Sequence, residues 1–230
     1  MWTRGELKTN AKAQLKTNYW GAVLVGIILT FLTTSAASTA GRAANNENGG
    51  SGLDMSGWSV SMIAAGIAVA GTAIALGLLV NLLLTIFLWN PLEVGCQKFF
   101  INCKYEKAGI KDVIFAIKRG YSNVGKVMFV RTICTYLWTL LFIIPGIVKS
   151  YEYMMIPYLL AEDPQMSRQD AFARSKEMMN GNKWNAFVLD LSFIGWMLLG
   201  AITCGLVGVF YVNPYRYMTR AELYQTLKNQ

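Results

Sequence analysis

The sequence predicts an all-α integral membrane protein, a polytopic helix bundle with about six spans and both ends on the cytoplasmic side. Hydrophobic residues make up 54% of the 230 residues and charged residues only 15%, whereas a soluble domain carries about 25% charged residues. The charges are clustered, and several apolar stretches between them reach the about 18 residues that indicate a membrane span. Lys and Arg concentrate in alternate connecting segments, as in cytoplasmic loops.

Composition also excludes several classes of site. The formal net charge is +8, but the Lys and Arg residues flank apolar stretches, so we expect them to orient a membrane protein and not to bind nucleic acid. The chain has no His, which excludes imidazole metal sites and a His general base. We interpret the four cysteines as reduced, small apolar residues: Cys96, Cys103, Cys134 and Cys204. No catalytic residue, metal or cofactor is expected.

An amphipathic helix is predicted at residues 3–17. Two sets of residues recur every four positions, a basic set (Arg4, Lys8, Lys12, Lys16) and an apolar set (Leu7, Ala11, Leu15). The order of basic, apolar and small residues over 1–40 imitates a signal peptide, but this regular pattern favours a retained helix. Its basic face is expected to contact anionic headgroups at the cytoplasmic surface, each cation contributing about 1 kcal/mol. A helix that merely caps the bundle is the alternative.

The first two spans enclose an external loop. The first runs over about residues 19–38, and a Gly-, Asn- and Ser-rich loop follows at 41–57. The next apolar region, residues 58–89, ends at Asn90-Pro91. It exceeds the about 20 residues that a spanning helix needs, so it must tilt, kink or begin above the membrane.

Four further spans follow a basic segment at residues 92–123, in which a helix is predicted at 109–121. Span three runs to a turn at Pro145-Gly146, span four covers 147–161, and Ser167 opens a capped helix at 167–180. Span five covers 184–204, span six 206–218, and a polar tail follows at 219–230. Spans four and six are short, so each is expected to be re-entrant or kinked at its proline, Pro157 or Pro214.

A threefold internal repeat is predicted within a single domain of residues 1–230. Its units, approximately 1–91, 109–164 and 167–218, each contain an amphipathic helix, a span, a turn and a proline-containing return span. An asparagine stands at the start of each outgoing span: Asn18, Asn123 and Asn182. Such repeats occur in transporters, but they also arise from duplication of any hairpin.

The repeat places two opposite charges at matching depth. Arg131 lies eight residues after Asn123, and Asp190 lies eight residues after Asn182. At 1.5 Å per residue both would lie about 10–12 Å into the membrane, where a charge is costly. We expect them to pair, either holding spans three and five together or forming a polar binding site or proton relay; separate snorkelling is the third possibility. Lys149 and Glu152 form a second candidate pair on span four.

The chain resembles a large family of uncharacterised bacterial membrane proteins, catalogued as domain of unknown function nine-seventy-five. The motifs that carry the resemblance are Arg4-x-Glu6-Leu7-Lys8 with Asn18-Tyr19-Trp20, Ile144-Pro145-Gly146 with Lys149 and Tyr151, Ala161-Glu162-Asp163-Pro164, and Gly181-Asn182-Lys183-Trp184. The likeness covers nearly the whole chain except the 41–57 loop. It implies the cytoplasmic membrane of a bacterium and supplies no catalytic residues.

Three functions are compatible with these patterns. The first is a non-catalytic component acting in envelope maintenance or as an accessory that binds another membrane protein, with membrane lipids as further partners. The second is a transporter or channel for a small solute or lipid, favoured by the repeat and the buried charges. An intramembrane enzyme is third, because the acids stand isolated in the sequence.

Overall fold

The fold is entirely helical in the part of the chain that a computed structural model describes: residues 2–30, 88–104, 108–114, 120–203 and 205–229, with isolated positions between 71 and 84. The α-helices are α1 Arg4–Thr17, α2 Tyr19–Thr30, α3 Asn90–Asn102, α4 Tyr121–Leu141, α5 Ile143–Glu152, α6 Ile156–Glu162, α7 Arg168–Met178, α8 Lys183–Leu191, α9 Ile194–Ile202 and α10 Asn213–Lys228. A 3-10 helix covers Ile110–Ile114, and a π-helical turn, Gly208–Val212, leads into α10. The all-α class is thus confirmed for these residues.

Two helical segments are long and apolar enough to cross a membrane. They are Tyr121–Leu141 and Lys183–Ile202, with mean hydropathies of 1.3 and 1.7, and only 22% of each apolar window is buried inside the fold. An apolar helix of a soluble core would be mostly buried, so this exposure favours a lipid environment. α2 is apolar but shorter. The external loop, most of span two and residues 31–38 of span one lie outside the described residues.

The first amphipathic helix forms as the sequence predicts. The Thr3 hydroxyl accepts a hydrogen bond from the Glu6 amide (3.3 Å), and the Glu6 carboxylate accepts one from the Thr3 amide (3.1 Å). This reciprocal capping box satisfies two amides that the helix itself leaves free, and the bonds to Thr3 lower the pKa of Glu6. The predicted apolar face of Leu7, Ala11 and Leu15 is buried, and it packs on α10.

Three helices that begin with a proline form the centre of the fold. Pro91, Pro157 and Pro214 each stand in the first turn of their helix, α3, α6 or α10, where the missing amide proton costs no helical hydrogen bond. α3 packs against both α6 and α10. The rings of Tyr158 and Tyr224 stack between α6 and α10 with centroids 5.3 Å apart.

The polar tail expected after residue 218 is a buried part of this centre. α10 continues to Lys228, and its buried side chains include Met218, Ala221, Leu223, Tyr224 and Leu227. Thr219, Glu222 and Gln225 are buried as well, so α10 is enclosed on most of its circumference. The high polar content of the segment conceals this burial in the sequence.

A buried carboxylate on α10 joins three parts of the chain. Glu222 is 3% exposed and accepts hydrogen bonds from the side chains of Gln14 (2.8 Å) and Asn10 (3.3 Å) on α1. Its third partner is the Lys104 ammonium at 2.9 Å, just beyond α3. A buried charge is tolerated only with such partners, so Glu222 fixes where α1 lies.

The predicted turn at Pro145-Gly146 is wrong by about one helical turn. The chain reverses at Phe142, whose backbone is extended, and α5 begins at Ile143. Pro145 is then the third residue of α5, a position that needs no amide donor. Gly146 faces α4 so closely that a Cβ atom there would lie 2.5 Å from the Thr139 Cα. The proline-glycine pair therefore serves helix start and helix contact, not the reversal.

The apolar runs predicted as single spans are broken. Span four divides into α5 and α6 at residues 153–155, and span five is interrupted at Ser192 and Phe193. In the sixth run, Pro214 cannot donate to the Phe210 carbonyl four residues earlier. The Tyr19 hydroxyl of α2 donates to that carbonyl instead, at 3.2 Å.

The predicted helix at 109–121 forms only in part. Its described portion is the 3-10 helix Ile110–Ile114, and α4 begins separately at Tyr121 after Gly120, which has a φ of +76°. A left-handed residue interrupts an α-helix. Residues 115–119 of the predicted helix lie outside the described residues. The 3-10 helix packs on α3 at Gly95, where an added Cβ atom would overlap the Val113 carbonyl oxygen.

Gly95→Ala should therefore destabilise the protein by about 1–3 kcal/mol, the range for overpacking a core, because the contacting group is backbone and cannot rotate away. Gly5→Ala is the matched control, since nothing lies within 4 Å of a Cβ atom at Gly5 in α1. Thermal unfolding in detergent should show a lower midpoint for Gly95→Ala and an unchanged or higher one for Gly5→Ala. Equal midpoints for the two variants would contradict this packing.

Candidate functional site

The charged side chains on the apolar helices form three clusters, each with at least one ion pair. Asp190 of α8 is the centre of the first, Glu152 of α5 the centre of the second, and Arg131 of α4 belongs to the third. The sequence suggested Arg131 and Asp190 as candidates because of their predicted depth in the membrane, and Glu152 because of its spacing from Lys149. Their partners, however, are mostly residues that the sequence analysis did not single out.

Asp190 is held by two arginines and a tyrosine. Arg220 of α10 donates to both carboxylate oxygens, from Nη2 at 2.8 Å and from Nε at 3.3 Å. The Nε atom of Arg216, one turn earlier, lies 3.5 Å from Oδ1, and the Tyr151 hydroxyl donates to Oδ2 at 3.1 Å. The Asp190 side chain is 14% exposed. A bidentate arginine–carboxylate ion pair is among the strongest contacts between side chains. This cluster therefore fixes α8 and α5 against α10.

Glu152 is shared between two lysines. Its carboxylate contacts the Lys149 ammonium at 2.8 Å and the Lys183 ammonium at 2.5 Å, and its side chain is 5% exposed. Its backbone carbonyl accepts a hydrogen bond from the Ser175 hydroxyl of α7 (2.7 Å). The structure thus brings Lys149 and Glu152 together and adds Lys183, the first residue of α8. The cluster joins α5, α7 and α8 around one buried carboxylate.

The structure does not bring Arg131 and Asp190 together. The Arg131 guanidinium lies 3.3 Å from the Glu93 carboxylate of α3, with the two side chains 23% and 30% exposed. Arg131 of α4 contacts α3, on which α4 packs, whereas the side chain of Asp190 on α8 reaches two arginines of α10. The proposed pairing of the two is therefore corrected to two separate pairs.

The partners that sequence reasoning missed do have a common signal. Glu93 and Arg216 each lie two residues after the proline of an Asn-Pro pair, Asn90-Pro91 or Asn213-Pro214. The two pairs therefore use equivalent sequence positions with the signs reversed, an acid facing Arg131 and an arginine facing Asp190. Comparing the Asn-Pro segments, and not only the outgoing spans, could have found them. Arg220 carries no such signal, because it lies in the segment that the sequence predicts to be a polar tail after the last span.

The three asparagines at the starts of the outgoing helices make side-chain contacts across the chain. Asn123 donates to the carbonyls of Pro164 (2.9 Å) and Met166 (2.8 Å), Asn182 accepts from the Trp2 indole (3.0 Å), and Asn18 approaches the Cys103 carbonyl at 3.5 Å. An amide side chain can donate and accept, which suits it to connecting segments that end near each other.

The four basic residues of α1 differ in their surroundings. Arg4, Lys12 and Lys16 are exposed, whereas Lys8 is half-buried with its ammonium 4.6 Å from the centre of the Phe193 ring. Burial, together with Arg4 and Lys12, lowers the pKa of Lys8. The Lys12 ammonium lies 5.7 Å from the ring centre of Tyr215. Lys8 therefore packs against aromatic side chains of the fold, and Arg4, Lys12 and Lys16 remain open to an outside anion.

Two buried amide groups on α3 lack hydrogen-bond partners among the described residues. They are Nδ2 of Asn90 and Oε1 of Gln97, whose residues are 4% and 6% exposed. Their spacing of seven residues, with Glu93 between them, puts the three polar side chains on one helix face. Buried polar groups normally have a hydrogen-bond partner in the protein or in bound water. The Asn90 and Gln97 side chains are therefore able to bind a water molecule or a polar solute.

Neither of the two buried thiols of α3 and its C-terminal end is reactive. Burial raises the pKa of Cys96 well above its usual range and that of Cys103 to about 12, so both remain protonated, the unreactive form.

Within the described ranges, no three Cys, Asp and Glu side chains are grouped so that they could ligate a metal ion. A polar cleft of about 610 Å³ between α6, α7 and α10 is lined by charged side chains of both signs, including Glu162, Arg174, Glu177 and Lys228.

Charge reversal tests the corrected pairing. Arg131→Glu should place two carboxylates face to face and lower the yield and unfolding temperature of the purified protein. The loss should be smaller than the about 3–5 kcal/mol found when a fully buried pair is broken, because both side chains remain partly exposed. Adding Glu93→Arg should restore both quantities.

The matched control is Arg131→Glu combined with Asp190→Arg, which should not rescue and should instead remove the carboxylate that holds Arg216 and Arg220. Rescue by Asp190→Arg without rescue by Glu93→Arg would overturn the assignment. The readouts are the monodisperse fraction by fluorescence-detected size exclusion and the unfolding midpoint in detergent.

Comparison with known proteins identifies the family and nothing beyond it. The sequence pattern of the family described as "Protein of unknown function (DUF975)" matches residues 74–230, which include α3 to α10 and all three charged clusters. No curated protein and no solved structure matches the chain. Since the matched region is more than half of the sequence, the chain belongs to the DUF975 family of proteins of unknown function.

Proposed function

We propose that the chain is a multi-pass protein of the bacterial cytoplasmic membrane, with about six spans and both termini in the cytoplasm. In this proposal it is a non-catalytic component that acts in envelope maintenance or as an accessory to another membrane protein. The observation that carries the proposal is that Arg131, Glu152 and Asp190 are all ion-paired within the chain. Such pairs hold helices together, and the Glu152 and Asp190 carboxylates, each already shared between two cations, are not free to bind a cationic substrate.

The exposed apolar surface supports the membrane part of the proposal. Large apolar side chains are exposed along the α4–α5 hairpin, where Leu140 is 88% and Ile144 76% exposed, and along α9, where Ile202 is 79% exposed. A contiguous surface of this kind needs lipid or another protein to cover it. Trp20 and Trp184 are 70% and 71% exposed near the starts of α2 and α8, in keeping with the aromatic residues found at membrane interfaces.

The absence of catalytic chemistry in this proposal rests on the state of the acids. The Glu152 carboxylate faces two ammonium groups, and the Asp190 carboxylate faces two guanidinium groups. A general base needs a carboxylate that can take up a proton near neutral pH, and close cations oppose this. Partner binding would then use the exposed surfaces, with anionic lipids contacting Arg4, Lys12 and Lys16 at the cytoplasmic face.

A small-solute or lipid transporter is the second candidate, and one observation favours it. The buried amides of Asn90 and Gln97 lie on one face of α3 with the Glu93–Arg131 pair beside them. A polar solute or water passing along this face could supply the missing hydrogen bonds. The two candidates therefore differ in whether the paired charges of Arg131, Glu152 and Asp190 are shielded from water or are reached by water and solute.

Native mass spectrometry of the full-length protein, released gently from its membrane, tests the proposal by reading bound mass and subunit count together. We expect no bound small molecule other than membrane lipid, with or without a stoichiometric protein partner, and the same bound mass in Asp190→Asn. Asp170→Asn, an exposed acid at the start of α7, is the matched control. A small molecule that is present in the wild type and in Asp170→Asn, and is lost in a folded Asp190→Asn, would favour the transporter.

A further inference from the structure

An apolar groove of about 350 Å³ lies between α5 and α8 on the outside of the fold. One wall is formed by Ile144, Ile147 and Val148, and the other by Trp184 and Phe187. Ile144, Ile147 and Val148 are 76%, 46% and 45% exposed. Residues spaced three and four apart lie on one helix face, so α5 presents a continuous apolar strip to the groove.

Aromatic contacts fix the α8 wall of the groove against α5. Tyr151 and Phe187 meet edge to face with ring centroids 6.0 Å apart, and Phe187 in turn lies 5.4 Å from Trp184. The Tyr151 hydroxyl is turned away, because it donates to Asp190. The Tyr151 hydroxyl is thus already hydrogen-bonded. The groove therefore presents aromatic rings and methyl groups to a bound molecule.

One end of the groove carries positive charge. Lys183 lines it and pairs with Glu152, which also binds Lys149. The cluster contains two ammonium groups and one carboxylate, so it has a formal charge of +1. Trp184 beside it is a residue typical of the membrane interface. An occupant that matches this end must be anionic, and one that matches the remainder must be an alkyl chain.

We propose that this groove binds one anionic phospholipid, with an acyl chain between α5 and α8 and the phosphate beside Lys183. The charge at one end and the apolar lining of the remainder match the two halves of such a lipid, and the lipid lies in the same membrane that must cover the exposed α5 residues. The proposal deepens the membrane function above and rests on it. The bound lipid would brace α5, which contacts α8 through this groove.

The experiment uses the full-length protein, delipidated in detergent and then incubated with phosphatidylglycerol or phosphatidylcholine. Native mass spectrometry counts the lipid molecules retained as the collision energy rises. We expect one retained phosphatidylglycerol per chain, and weaker retention of phosphatidylcholine. Val148→Trp, which fills the groove, should abolish the retained lipid. Lys183→Gln should weaken phosphatidylglycerol by about fivefold and leave phosphatidylcholine unchanged.

Two matched controls separate the groove from the general lipid surface. Ile194→Trp adds the same side chain at a position of α9 that is 44% exposed, and Lys126→Gln removes an exposed cation of α4. Both should retain lipid as the wild type does. Unchanged retention in Val148→Trp would overturn the groove, and equal retention of the two lipids would overturn the role of Lys183. Circular dichroism and size exclusion confirm that each variant is folded.

The outcome is distinct from that of the function test. Loss of bound lipid in Val148→Trp but not in Asp190→Asn supports the groove and leaves the non-catalytic function intact. Lipid lost in Asp190→Asn but not in Val148→Trp contradicts the groove and favours a polar site at the paired charges.

Discussion

The arrangement of this protein depends on one constraint, that a charge carried on an apolar helix must meet an opposite charge inside the same fold. Each of the three acids in the charged clusters, Glu93, Glu152 and Asp190, meets at least one cation within 3.5 Å. Apart from Lys149–Glu152, which lies within α5, each pair joins a helix that carries exposed apolar surface to another helix of the fold. The energetic cost of an unpaired charge in such surroundings is high, so the pairs fix which helices can be neighbours.

A second set of contacts closes the chain on itself. The 3-10 helix packs on α3, α7 packs on α6, and α1 packs on α10, so each amphipathic segment covers the proline-headed helix that precedes it in a cyclic order. Glu222 and the Trp2–Asn182 contact complete this closure. A threefold repeat would produce such an order, and the repeat stays a prediction. Among the described residues, this packed centre supports the exposed apolar helix α4, which contacts both α3 and α6.

Local patterns predicted what is local. The four-residue spacing in 3–17 gave the helix α1 and its buried face, and Ser167 forms the predicted cap, accepting a hydrogen bond from the Asp170 amide at 3.1 Å. The turn at Phe142 could not be predicted, because Pro145-Gly146 is equally suited to a turn and to a helix start, and only the Gly146–Thr139 contact distinguishes them. The buried α10 was concealed by polar residues whose partners, such as Gln14 for Glu222, lie more than 200 positions away.

The charged pairs show the same limit. Depth along a span indicated that Arg131 and Asp190 need partners, and this need is a property of the sequence. Which partner each finds is a property of helix neighbours, which depth alone does not determine. The pairing of Glu152 with Lys149 could be predicted from the sequence, because the two residues lie three positions apart on the same helix. Its pairing with Lys183 could not, because Lys183 belongs to another helix.

If the ion pairs of Arg131 and Asp190 are shielded from water, cysteines placed beside these charges should not react with a water-soluble thiol reagent. Ala186 and Val127 are each 1% exposed, four residues before Asp190 and Arg131 on the same helices. Ala186→Cys and Val127→Cys would be made in a chain without its native cysteines, in liposomes, with Ser122→Cys as the exposed control. We expect a membrane-impermeant thiol reagent to label only the control. Labelling at positions 186 and 127 at rates near that of the control would contradict this expectation and indicate a water-filled path.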